Sequence, residues 1–226
     1  RPTLVYYGIG AGICIATAID DELDTWRKHP SNPVIREPRH GEPEYDIYRV
    51  FDPHAWLEDD VYHVILGGKV KPHDLRDTAY LFTSTNLTDW TYHRPFYQPN
   101  PSWTEEIEDC ACPDFFRLGD RHVLLCISHS HGTRFYVGDY HDGNFVAQSH
   151  HRMNFAGGSC FAPESLIDAM GRRVMWAWVV DQLTPAYPTM TLPRVLALGE
   201  TGVVKVEPAR ELEMLRHNHR SLEEPV

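Results

Sequence analysis

Apolar positions along this chain recur every second residue in short runs, and each run ends at a cluster of Gly, Pro, Asp or Asn. Period-two runs closed by turn residues predict β-strands rather than helices. The clearest example is RVFDPHAWLEDDVYHVILGG, residues 49–68. It gives Asp52-Pro53, a half-buried strand, an acidic turn at Glu58, Asp59 and Asp60, and an apolar strand from Val61 to Leu66. The same order returns in CPDFFRLGDRHVLLCISH (112–129) and FAPESLIDAMGRRVMWAWV (161–179). Pro53, Pro113 and Pro163 are spaced by about sixty and about fifty residues, which predicts the blades of a β-propeller rather than one sandwich. Proline suits a strand's first residue, where the missing N–H costs no ladder bond. The innermost strand of a blade lines the central axis, so a polar residue beside each proline faces the funnel. Asp52 is the first such candidate.

The rest of the chain fits this pattern. LVYYGIGAGICIATA reads as two strands, with Gly8, Gly10 and Gly12 as a turn; no helix pattern follows, so a phosphate loop is not implied. LDTWRKH (23–29) and LTDWTYH (87–93) share Trp-x-x-His, read as blade packing rather than ligand chemistry. Residues 31–48 form an irregular polar loop, 51–98 one blade, and 111–147 most of another, with a hairpin turn at Asp142-Gly143. A further blade begins near Phe161, and ARELEMLRH is the one plausible helical turn. The expected fold is all-β, a five-bladed propeller represented by about four blades, with residues 1–226 a single domain. The opening residues read as the outer strands of a blade whose beginning lies outside.

Composition narrows the function. A formal charge of −11 argues against nucleic acid, since neutralising phosphates needs a basic face. No apolar run approaches the roughly 18–20 residues of a membrane span. Arg1-Pro2-Thr3 leads directly into a strand, without the pattern of a signal peptide, and the compartment is left open. Five cysteines in irregular positions make no disulfide framework, and Cys110-Ala111-Cys112 reads as structural rather than metal-binding. No metal or other cofactor is expected.

Acidic residues gather near the inward prolines: Asp52, Glu108, Asp109, Asp114 and Glu164. By strand parity Asp109 shares a face with Ala111, and Asp114 lies opposite unless a bulge intervenes. Convergent carboxylates suit glycoside cleavage, in which one stays ionised at the anomeric carbon and another gives a proton to the leaving oxygen. Trp56, Trp103, Trp176 and Trp178 are candidate platforms for sugar rings; the alternative for each is core packing.

Six ordered blocks resemble the catalytic propeller of glycoside hydrolase family 32, the invertases, levanases and fructan hydrolases. They are DDELDTWRKHPSNPVI, RVFDPHAW, CPDFF, YVGDYHDGNF, FAPESLIDAMGRRVMWAWV, and TMTLPRVLAL with VKVEPARELEMLR. The resemblance implies a five-bladed propeller followed by a β-sandwich, and metal-free, retaining hydrolysis of β-fructosidic bonds. It places the transition-state-stabilising Asp at Asp52. The nucleophile block, the first blade and the sandwich have no counterpart here, which implies a fragment of a longer protein, inactive in isolation.

Two further positions depart from the family pattern. Phe51 stands where Arg precedes the Asp, with Arg49 as the substitute contact, and Ala111 stands where the acid/base Glu belongs. Reading EDCACPD with a two-residue insertion gives the acid to Asp109, with Glu108 and Glu164 as alternatives. Arg49, His54, Trp56, Asp114 and Trp178 complete the expected sugar contacts. The expected partner is a sugar such as sucrose or a fructan, and neither nucleic acid nor membrane. Two alternatives are a family 43-like arabinanase or xylosidase, and a non-catalytic carbohydrate-binding propeller. Phe51 and Ala111 suggest the second.

Overall fold

The computed structural model describes residues 1–153, 160–180, 189–218 and 220. Its described strands form four antiparallel sheets arranged as the blades of a propeller. The first sheet holds β1 (Thr3–Gly8), β2 (Gly12–Ala18), β3 (Trp26–Lys28) and β4 (Ile35–Arg36), the last two both pairing with β2. The second is a meander of β5 (Pro53–Glu58), β6 (Val61–Val70), β7 (Leu75–Ser84) and β8 (Thr91–Pro95). The third is a meander of β9 (Ala111–Leu118), β10 (Arg121–Ser128), β11 (Gly132–His141) and β12 (Asn144–Arg152). The fourth holds β13 (Cys160–Ile167), β14 (Arg173–Val179), β15 (Thr189–Met190), β16 (Arg194–Leu198) and β17 (Val204–Pro208).

Strands β5, β9 and β13 neighbour one another in turn and are the inner strands of their blades. In the first sheet β2 and β3 flank the Trp26 turn as β7 and β8 flank that of Trp90, so β1 corresponds to β6, and it meets β5 as β6 meets β9. The opening residues are thus outer strands of their blade, as expected. Residues 210–215 form a 3-10 helix rather than an α-helix, and the polar loop after β4 contains another at Pro43–Asp46.

Each middle blade is apolar on both faces, because each is packed between two others. In β10, Leu124 and Cys126 join Ile65, Ala79 and Leu81 of the second blade. Val123 and Leu125, one residue out of phase, join Met175, Leu196 and Val204 of the fourth. Val64 and Leu66 likewise face Ile13 and Ile35 of the first blade, while Ile65 faces the third. Burying each such side chain contributes roughly 1.5–3 kcal/mol, so alternation here selects which neighbour is met rather than inside against outside.

The repeated Trp segments have one geometry. Trp26 Nε1 donates to the Leu23 carbonyl at 2.8 Å and Trp90 Nε1 to that of Leu87 at 2.9 Å. Leu23 and Leu87 are both left-handed, with φ of 63° and 67°. The motif is thus a turn lock at equivalent points of two blades, consistent with a structural role. Asp142 (φ 49°) and Gly143 (φ 71°) make the two-residue turn between β11 and β12, as primed hairpin turns require.

Blade spacing at the axis depends on Gly67. A Cβ there would stand 2.4 Å from the Cys110 carbonyl oxygen. Gly67→Ala should therefore cost about 1–3 kcal/mol by forcing the second and third blades apart. An unchanged denaturation midpoint would show that the blades do not meet this closely.

Candidate active site

Three inner strands share a backbone irregularity. Asp52, Cys112 and Ala162, each followed by proline, have φ of 27°, 44° and 44°. Such a conformation costs a non-glycine residue of order 1–2 kcal/mol, and proline further disfavours helical torsions in the residue before it. The result is a kink at the same place in each inner strand. The β9–β10 register shifts between Leu125 and Ile127, and the β13–β14 register between Phe161 and Glu164. In the second blade the Gly67 N–H is shared by the carbonyls of Phe51 (3.1 Å) and Asp52 (3.3 Å). Only Pro53 opens its strand; Pro113 and Pro163 sit inside theirs, where an edge position and a bulge excuse the missing donor. The bulge also gives Asp114 and Ala111 the same parity, so the two are not on opposite faces as an unbroken strand would place them.

Beyond each kink, the residue after proline turns toward the axis. His54, Asp114 and Glu164 come from three blades, and one ligand atom of each lies within 4.8 Å of the others. Asp52 stands beside them. Its Oδ2 accepts the Cys112 backbone N–H at 3.0 Å and the Cys112 thiol at 3.3 Å, which orients the carboxylate across the blade boundary. Burial, followed by the negative charge of Asp52, pushes the Cys112 thiol well above its ordinary range.

The axial groups perturb one another. Glu164 remains reached by water, but crowding by protein and then the charges of Asp114 and Asp52 push its pKa up to about 8. Asp114 is buried, and burial raises its pKa despite His54 and the Ser165 hydroxyl, which donates to Oδ2 at 2.5 Å. His54 is pulled below its ordinary value by burial, against the opposing charge of Asp114. The Arg173 guanidinium lies 4.2 Å over the Phe116 ring and donates to Ser165 Oγ at 3.3 Å.

The other expected site residues are elsewhere. Glu108 is fully buried and accepts from Arg134 Nη1 (2.5 Å), Arg152 Nη2 (2.6 Å) and the Glu105 N–H (2.9 Å). Burial raises its pKa, but the Arg152 hydrogen bond and the neighbouring charges outweigh that and hold it at about 2. A sealed, firmly ionised carboxylate is the reverse of a proton donor. Ala111 is also fully buried and offers no functional atom.

Asp109 sits at the rim, where Oδ1 accepts the His129 N–H at 3.0 Å and Oδ2 meets His129 Nδ1 at 2.6 Å. It lines a cavity of about 310 Å³ with Arg49, Phe51, Lys69, Asp74 and His129. Arg49, the expected substitute contact, thus lines the same cavity as Phe51.

The tryptophans divide. Trp56 packs between blades against Phe96, Phe115 and Tyr140 and stacks on His63, so it is core rather than a sugar platform. Trp103 joins the same cluster. Trp176 lies opposite Glu164 in the ladder, and Trp178 is 46% exposed opposite Phe161. Sequence reasoning did not group His54 with Asp114 and Glu164 as one ligand set, although all three follow the repeated prolines.

The fold is a β-propeller with carboxylates gathered at its axis. The profile of the glycosyl hydrolases family 32 N-terminal domain matches residues 11–208, and the chain belongs to that family. It is 30% identical over 202 residues to the sucrose-6-phosphate hydrolase of Escherichia coli, covering 80% of this chain and 40% of the relative. Among solved structures, fructan 1-exohydrolase IIa from Cichorium intybus superposes with a TM-score of 0.72 at 24% identity, over 96% of this chain and 46% of that one. A mutant of the Bombyx mori GH32 β-fructofuranosidase BmSUC1, in complex with sucrose, gives 0.73 at 19% identity, over 92% and 46%. These two likenesses establish the fold. The chain spans less than half the length of these proteins.

Proposed function

We propose that this chain is the propeller part of a β-fructosidase-type glycoside hydrolase that cleaves sucrose or fructans with retention of configuration. The observation that supports it most is Asp52, a carboxylate oriented by Cys112 beside the axis of a family 32 propeller. Asp52 would stabilise the oxocarbenium-like transition state and bind sugar hydroxyls. The sucrose-6-phosphate hydrolase relative and the sucrose bound by the Bombyx enzyme favour a fructoside substrate. On this reading residues 1–226 are one propeller domain of a longer protein, and the nucleophile comes from sequence outside them.

The proton donor of the proposal is Asp109. In support, its Oδ2 meets His129 Nδ1 at 2.6 Å and the carboxylate lines the rim cavity, where it would protonate the leaving oxygen. Arg49, Phe51 and Trp178 would touch the sugar around it. The test is sucrose hydrolysis by the full-length protein and by its Asp109→Asn and Glu164→Gln variants. Loss of about 10²–10⁴ in kcat in Asp109→Asn is expected, with an aryl fructoside, whose leaving group needs no proton, much less affected. Full sucrose activity in Asp109→Asn, with collapse in Glu164→Gln, would move the role to Glu164.

A further inference from the structure

We infer that His54, Asp114 and Glu164 form a binding site for a divalent cation of the zinc class on the propeller axis. The inference is independent of whether the chain hydrolyses fructosides. It starts from the hydrogen-bonding of His54. Nε2 lies 2.9 Å from the Phe115 carbonyl oxygen, which can only accept, so Nε2 carries the proton and Nδ1 of the neutral ring presents a lone pair. Facing Nδ1 at 3.6 Å is Asp114 Oδ1. Asp114 is 1% exposed, and this oxygen has no hydrogen-bond partner among the described residues. The Glu164 carboxylate completes the group. With Glu164 ionised, as a bound cation would hold it, three electron-pair donors converge with no described donor between them, and the buried Asp114 oxygen lacks the positive partner such groups ordinarily have.

The surroundings are those of a ligand set. A metal-binding histidine ordinarily donates its other ring N–H to a carbonyl or carboxylate, as His54 does to Phe115. The second Asp114 oxygen is fixed by Ser165, itself braced by Arg173, which leaves Oδ1 free to point inward. Tetrahedral coordination at about 2.0–2.2 Å separates ligand atoms by roughly 3.3–3.6 Å. The His54–Asp114 pair is already there, and Glu164 needs only a side-chain rotation to close from within 4.8 Å. One nitrogen and two carboxylates suit zinc or manganese; calcium takes six to eight oxygens. Glu164 is reached by water, which provides an entry path and an open fourth position.

The test uses Zn²⁺ as the probe. The protein is stripped with EDTA, exchanged into buffer, and titrated calorimetrically with Zn²⁺; Co²⁺ is added in parallel for its visible spectrum. One equivalent of zinc should bind, weakened at least about tenfold in His54→Gln, Asp114→Asn and Glu164→Gln, with the tetrahedral cobalt absorption lost in each. Circular dichroism confirms that each variant folds. Should Asp114→Asn not fold, Glu164→Gln, altered at a water-reached side chain, decides the matter. No zinc uptake by the parent protein, or uptake undiminished in Glu164→Gln, would overturn the site.

Discussion

Asp52→Asn in the full-length protein should lower kcat for sucrose by about 10²–10³, the loss typical of removing one transition-state-stabilising group. The substitution is nearly isosteric, and an amide oxygen can still accept the Cys112 N–H that now meets Oδ2 at 3.0 Å. Folding should therefore be little affected, and KM should change less than kcat, because the lost interaction is with charge that develops only in the transition state. The kink at Asp52 should persist, since asparagine tolerates left-handed torsions as well as aspartate does. A variant with unchanged kcat would place Asp52 away from the reacting carbon.

Glu108→Ala should destabilise the fold by about 3–5 kcal/mol, the cost of breaking a buried ion pair from one side. Arg134 is fully buried and would lose its main carboxylate, leaving Asp77 at 3.6 Å as its nearest acid. Asp77 is already engaged by Tyr97, Tyr136 and Thr104. Urea denaturation gives the measurement, with Glu106→Ala as control. Glu106, 64% exposed and 3.4 Å from Arg76, should matter by no more than about 1 kcal/mol.

The same pair sets an acid limit. The Glu108 pKa falls from 4.5 to about 2 on folding, a difference worth roughly 3 kcal/mol. Because the folded value is the lower one, that stabilisation is complete above about 4.5 and disappears as pH falls toward about 2. In Glu108→Gln this part of the acid dependence should be missing. A parent-like slope between those values would assign it to other groups.

Much of the fold was legible because each inner strand repeats a proline beside an alternating run, and because the Trp26 and Trp90 segments repeat a turn. The blade order, the hairpin at Asp142-Gly143 and the family all follow from such local signals. What was not legible depends on partners distant in sequence. Glu108 reads like a funnel acid beside Asp109, but Arg134 and Arg152, 26 and 44 residues away, turn it into a buried anchor. Trp56 reads like a sugar platform because it follows Asp52 on the same strand, yet its ring points into the contact with the third blade. The parity of Asp114 was decided by a left-handed Cys112, a conformation that the residue type does not announce. The grouping of His54, Asp114 and Glu164 was available in principle, since each follows a repeated proline.

The most direct measurement is product analysis by NMR as the full-length protein acts on sucrose, inulin and levan, with arabinan and xylan oligomers alongside. Fructose should be released from at least one fructoside, with its β configuration retained in the first spectra, and no pentose should appear. Glycan binding without release of any sugar would contradict the hydrolase account and identify a binding propeller, the outcome that Ala111 and Phe51 would then explain.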